Sequence, residues 1–214
     1  MIRTFLLLLA CLTTSPWIAS VSAAPQTSVL QTRTEAALQV GVVEYLLGEP
    51  AADFVDIAAA DLQWQALTKP NLGKQRDGAW LRFTLYNEGT EAKRWYLLLK
   101  WPVLDRVAVR LHYPDSGRWG QPMLAGDALA LSVRPLADHH FVYPLELPAG
   151  EPVVVYMQLQ AREILALPLE LIDDKQLIEG KLRDVTLVSL FFGGILVIVL
   201  YNCSLLIFTR DRSY

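Results

Sequence analysis

Val185 to Phe208 is a run of 24 residues without one charged side chain. As a helix rising ~1.5 Å per residue it would reach roughly 36 Å, more than the ~30 Å hydrocarbon core of a bilayer. A core helix of a globular protein rarely runs so far without a charge, so this segment is expected to span a membrane. The run divides the chain unequally. Residues 209–214 read as a cytoplasmic stub beyond it, and the candidate water-soluble domain is sought in the residues before Val185.

A second apolar block opens the chain, MIRTFLLLLACLTTSPWIASVSA. Arg3 supplies a basic start, Phe5 to Leu12 an apolar stretch, and Val21-Ser22-Ala23 a small-residue cleavage site. Residues 1–23 therefore read as a secretory signal peptide, cut after Ala23, because a cut after Ala24 would leave Pro25 first. A lipoprotein signal ending at Cys11 is the competing reading, with a very short apolar region before it. Export places the middle of the chain outside, and Arg210 and Arg212 just past the span agree with the positive-inside tendency. The two cysteines, Cys11 and Cys203, fall in the signal and the span. The exported part is thus stabilised by its core without disulfides, and zinc sites built on cysteine are excluded there. Between Pro25 and Asp184 there are 16 Lys and Arg against 21 Asp and Glu, a net of −5. That balance offers nothing to nucleic acid.

After a polar lead-in at 24–39, short apolar runs recur about every ten residues: Val40–Leu47, Ala79–Tyr86, Trp95–Trp101, Arg106–Tyr113, Phe141–Leu147, Val153–Gln160 and Leu165–Ile172. Turn formers separate them, including Gly48-Glu49-Pro50, Asn87-Glu88-Gly89, Pro114-Asp115-Ser116-Gly117 and Pro148-Ala149-Gly150. Within the runs, Leu81, Phe83 and Leu85 alternate with Trp80, Arg82, Thr84 and Tyr86. Val107, Val109, Leu111 and Tyr113 alternate with Ala108, Arg110 and His112. Phe141, Tyr143, Leu145 and Leu147 share a face. One apolar face at period two is what a sheet packed on one side requires. The expectation is an all-β sandwich over 40–176, with no helical stripe before residue 175 and Asp61–Lys69 undecided between helix and strand.

Chemistry is signalled weakly. Trp80, Arg82 and Tyr86 share the more polar face of one strand, and Trp95 and Trp101 share a face with Lys100 opposite. Outward aromatics on a sandwich can stack on sugar rings while neighbouring polar groups bind hydroxyls. Core burial of Trp80 and Trp101 is the competing reading. Gly126-Asp127 and Arg134-Pro135 sit at the ends of one segment, which suits a clamping ion pair or a polar ligand. His139 and His140 are adjacent and would point to opposite faces of a strand, and His112 is distant, so no metal is expected. No nucleophile elbow, metalloprotease motif or phosphate loop is present, and Asp105, following Trp101-Pro102, is a turn aspartate that needs no catalytic role. No cofactor is expected. In the span, Gly193-Gly194 and Asn202 are the small and polar residues that mark packing against other membrane helices.

In this order, the segments GAWLRFTLYNEG, RWYLLLKWPVLDRVAVRLHYPDSG, Gly126-Asp127 to Arg134-Pro135 and FVYPLELPAGEPVVVYMQLQ, with the span FFGGILVIVLYNCSLLIFTRDRSY, carry a family resemblance. The chain from about residue 35 to 214 resembles the second type of extracellular sensor domain of bacterial seven-transmembrane receptors with diverse intracellular signalling modules, with the span similar to the first of their seven helices.

The resemblance implies a jelly-roll sandwich akin to carbohydrate-binding modules that senses a small ligand of the sugar class outside a bacterial inner membrane. It raises Trp80, Arg82, Trp101, Asp105, Asp127 and Arg134 as ligand-face residues. It also implies six further helices and an output module, so the sequence reads as the input region of a receptor, without enzymatic activity, ending after the first helix. Its expected partners are a glycan or other small molecule, the bilayer, other membrane helices and a separate signalling subunit. The alternative is a self-contained membrane-tethered carbohydrate-binding or adhesion module.

Overall fold

The computed structural model of the chain describes residues 30–32, 38–48 and 52–209. The expected signal peptide, most of the lead-in and the stub from 210 onward lie outside the described residues. Among those described, the strands in chain order are β1 (Leu30–Thr32), β2 (Leu38–Val40), β3 (Glu44–Leu47), β4 (Gln65–Ala66), β5 (Asn71–Lys74), β6 (Ala79–Asn87), β7 (Lys93–Leu99), β8 (Arg106–Tyr113), β9 (Arg118–Trp119), β10 (Met123–Ala125), β11 (Phe141–Leu147), β12 (Pro152–Gln160), β13 (Ile164–Ala166) and β14 (Leu169–Ile172). The short helix α1 (Phe54–Ala59) follows β3, and the long helix α2 (Asp174–Thr209) follows β14.

The strands form a β-sandwich. The larger sheet runs β10-β8-β12-β6-β3-β4, with β2 also on β6 and β9 also on β8, and the smaller runs β1-β14-β7-β11. β5 and β13 form a separate two-stranded ribbon. Alternation explains why the sheets stack. Leu81, Phe83 and Leu85 of β6 and Val107 and Val109 of β8 meet Leu97 and Leu99 of β7 and Tyr143 and Leu145 of β11 in one buried cluster. Burying each such side chain contributes roughly 1.5–3 kcal/mol over leaving it in water. β12, with its Val153–Val155 run, lies between β6 and β8 at the centre of the larger sheet, where β-branched residues pack best.

Three expectations are corrected, and one segment left open takes a definite form. The predicted strand Val40–Leu47 is two strands. Val40 faces Leu85 and Glu44 faces Arg82, so four steps on this strand lie opposite three on β6, which is a β-bulge. The bulge turns Glu44 from the core side to the outer side. The predicted strand Leu165–Ile172 also divides, because Pro168 lacks the amide a ladder needs. Its first part pairs with β5 and its second with β7 and β1. Only Gln65–Ala66 of the undecided Asp61–Lys69 segment is strand. Finally, α1 is a helix where none was expected. Asp53 caps it by accepting from the Phe54 amide at 2.8 Å, and Phe54 and Ile57, three apart, are the buried pair.

α2 starts eleven residues before the apolar run, directly after Asp173. The Gln176 amide donates to Asp173 Oδ1 at 2.9 Å, and the Asp173 amide faces Gln176 Oε1 at 3.4 Å. That reciprocal pair is a capping box, and Ile172 and Leu177, packed in one cluster, form its hydrophobic staple. Tyr96 of β7 donates its hydroxyl to Asp174 Oδ1 at 2.7 Å. The outer face of the smaller sheet, with Tyr96, Val142, Ile172 and Leu98, is thereby covered by Leu136 and the first turn of α2.

Gly126 governs how the segment after β10 is laid down. Its φ is +157°, and a Cβ there would stand 2.2 Å from the Asp105 carbonyl oxygen. This close approach lets the Asp127 amide donate to the Leu104 carbonyl at 2.8 Å. Gly126→Ala is expected to destabilise the domain by roughly 1–3 kcal/mol through overpacking, read as a lower denaturation midpoint of the purified chain.

Candidate ligand-binding face

Residues that alternate with the core point outward from the larger sheet, and strand register sets them in a row. Glu44 of β3 lies opposite Arg82 of β6, Arg82 opposite Tyr156 of β12, and Tyr156 opposite Arg110 of β8. Arg82 Nε donates to Glu44 Oε2 at 2.6 Å, and its guanidinium stacks 4.4 Å from the Trp64 ring centroid. On the other side, the Arg110 guanidinium stands 5.1 Å from the Trp119 ring, and Arg110 Nε donates to the Gly120 carbonyl at 2.9 Å. Tyr156 is flanked by both indoles, Trp119 at 5.5 Å and Trp64 at 6.4 Å. His112 lies against Trp119 with ring centroids 4.4 Å apart. Burial pushes the Tyr156 hydroxyl up against the opposing pull of Arg82, and burial holds His112 below its ordinary value.

Below this row, Phe54 of α1 meets Trp80 edge to face at 5.0 Å, and Trp80 is fully buried. A depression of about 420 Å³ adjoins them, bordered by Asp53, Arg106, Arg110, Leu124 and Gln158. Half-exposed aromatic rings beside guanidinium groups and a shallow polar hollow can stack on the apolar face of a ring-shaped ligand and hydrogen-bond its substituents.

The six residues singled out from the sequence do not converge. Arg82 stands in the row. Trp80 is on the same face but sealed under α1, so the core reading of that residue describes its position. Trp101 packs against the edge of the main core and donates its indole N–H to the Ile164 carbonyl at 3.3 Å. Asp105 accepts from the Arg162 amide at 2.7 Å and borders a second hollow of about 390 Å³, which Arg106 also borders. Asp127 is exposed beside it, held through its backbone. The suggested Asp127–Arg134 clamp does not form. Arg134 instead donates to the Asp138 carbonyl at 2.9 Å and lies over the Phe141 ring at 4.9 Å. Glu44, Trp64, Arg110, Trp119 and Tyr156 were missed. The alternation of β8 already set Arg110 and His112 on the outer face, whereas Trp64 stands in the irregular segment before β4 and Trp119 in the two-residue β9, neither of which carries a periodic signal.

The histidines also differ from expectation. His139 and His140 precede β11 in a bend, and their rings meet edge to face with centroids 3.9 Å apart. In α2, Gly193 and Gly194 face open space, and Asn202 Nδ2 donates to the Ile198 carbonyl of its own helix at 2.8 Å.

These parts define a class: a β-sandwich domain followed by a helix long and apolar enough to cross a membrane. The family model described as 7TMR-DISM extracellular 2 matches residues 44–173, more than half of the chain, and the chain belongs to that family. It carries the extracellular domain of a membrane receptor, with a candidate membrane helix at Asp174–Phe208. No curated protein matches the sequence.

His112 gives a pH test of this face. Its protonation is disfavoured in the fold, so the stability tied to the neutral ring is complete above the unfolded value of about 6.5. It is lost as the pH falls through that value and the depressed folded one. A nuclear magnetic resonance titration should place the His112 midpoint below 6.5. His112→Asn should flatten the loss of stability over the same interval.

Proposed function

We propose that this chain is the ligand-sensing input region of a bacterial membrane signal-transduction receptor, and that its ligand is a carbohydrate bound on the outer face of the larger sheet. The observation that carries this reading is the row Glu44–Arg82–Tyr156–Arg110 with Trp64 and Trp119 standing over it. Two indoles flanking a tyrosine supply apolar platforms of the size of a sugar ring, and the guanidinium groups of Arg106 and Arg110 supply donors at the adjoining hollow. Arg82 is already paired with Glu44, so Arg110 and Arg106 are the groups that favour sugars bearing a carboxylate, such as uronates.

The N-terminal signal-peptide pattern supports export of the sandwich to the periplasm, with α2 crossing the inner membrane. Other membrane helices, contacted through the Gly193-Gly194 face, and a separate signalling subunit complete the proposed partners.

Titrating the detergent-purified chain with neutral and uronate oligosaccharides, followed by tryptophan fluorescence, tests the ligand assignment. Saturable quenching is expected, with uronates favoured. Trp119→Ala and Trp64→Ala should each weaken binding about tenfold, equivalent to ~1.4 kcal/mol, without unfolding the domain. Trp80→Ala should instead lower stability. Well-folded Trp119→Ala and Trp64→Ala chains with undiminished affinity would remove the site from this face.

A further inference from the structure

A different cluster lies on the opposite side of the sandwich, where the segment before β11 meets α2. Asp138 carries a side chain only 7 % exposed, against 62 % for His139 and 26 % for His140. Its two oxygens face different neighbours. Oδ1 accepts from the His140 amide at 3.0 Å, lies 3.0 Å from His139 Nδ1 and 3.9 Å from His140 Nδ1. Oδ2 lies 3.3 Å from Lys181 Nζ of α2. The opposite nitrogen of His139, Nε2, lies 3.8 Å from Asp184 Oδ2, also of α2. A cavity of about 310 Å³ opens onto this group.

We propose that Asp138, His139 and His140 form a binding site for a divalent transition cation of the zinc class, joining the segment ahead of β11 to α2. The geometry is close to what such an ion needs. One donor atom from each of the three residues lies within 4.8 Å of the others. Tetrahedral zinc with bonds of ~2.0–2.2 Å sets its donors about 3.4 Å apart, so the ion draws the three together by small side-chain rotations. The exposed His139 ring is free of core packing and makes most of that movement. Two imidazoles and one carboxylate are the borderline donors that select zinc over magnesium or calcium, which prefer oxygen. Three protein ligands leave a fourth position facing the cavity for water or an exogenous ligand.

Asp184 then has a defined task. When His139 binds through Nδ1, its Nε2–H points toward Asp184. A carboxylate there fixes the tautomer and orientation of a ligating imidazole. Lys181 acts in the opposite direction, since its ammonium neutralises Asp138 when the ion is absent and repels the ion when it arrives. The two α2 residues, three apart and therefore on one helix face, thus bias the site in opposite senses.

The test uses the full chain in detergent, stripped with a chelator and titrated with zinc against a competing chromophoric chelator. One equivalent is expected to bind, and cobalt(II) in its place should give the intense visible bands of a tetrahedral site. Asp184→Asn should cost about tenfold in affinity, and His139→Ala and His140→Ala each more. Lys181→Met should raise affinity severalfold, a gain that damage to the fold cannot mimic. It also keeps the test decisive if the histidine variants fail to fold. The proposal is overturned by a chain that takes up no zinc at micromolar concentrations, by weak octahedral cobalt bands, by zinc retained in a folded His139→Ala/His140→Ala chain, or by unchanged affinity in Lys181→Met.

Discussion

The period-two alternation of β6, β8 and β12 is the constraint on which the rest depends. One set of side chains, from Leu81 and Phe83 to Val155 and Met157, closes the disulfide-free core against β7, β11 and β14. The other set has no freedom left, because register is specified once one face is buried. Slipping β12 by one residue against β6 would carry Tyr156 into the core and Val155 out to solvent. The aromatic and arginine row is therefore a by-product of core packing. Its spacing is set by strands that cannot move independently, which is what preorganised recognition requires.

This explains which features were legible in the sequence. The long strands were, because alternation over seven to nine residues is a strong local signal, and Arg106–Tyr113 and Phe141–Leu147 fall where their patterns place them. The membrane helix was legible from length and lack of charge alone. The bulge between β2 and β3 was not, since it is a mismatch between two strands and neither sequence contains it. Without that extra residue Glu44 would point inward and Arg82 would lose its partner. α1 was hidden because six residues carry too little periodicity to register.

The candidate face was half legible for the same reason. Arg82, Arg110 and His112 lie on strands whose patterns were read, so their side of the sheet was known. Which aromatic rings cover them depends on Trp64, delivered by the irregular segment before β4, on Trp119 of the two-residue β9, and on α1, which hides Trp80. Strand geometry would send His139 and His140 to opposite faces, whereas the bend before Phe141 brings their rings together.

Between Ile172, the last residue of β14, and Asp174, the first of α2, stands Asp173 alone, held in the capping box. A hinge needs residues whose dihedral angles can change without losing bonds, and here there are none to spare. Strand and helix consequently behave as one bent rod. A twist or tilt of the smaller sheet cannot dissipate in a linker and must reappear as rotation or tilt of α2 along its length.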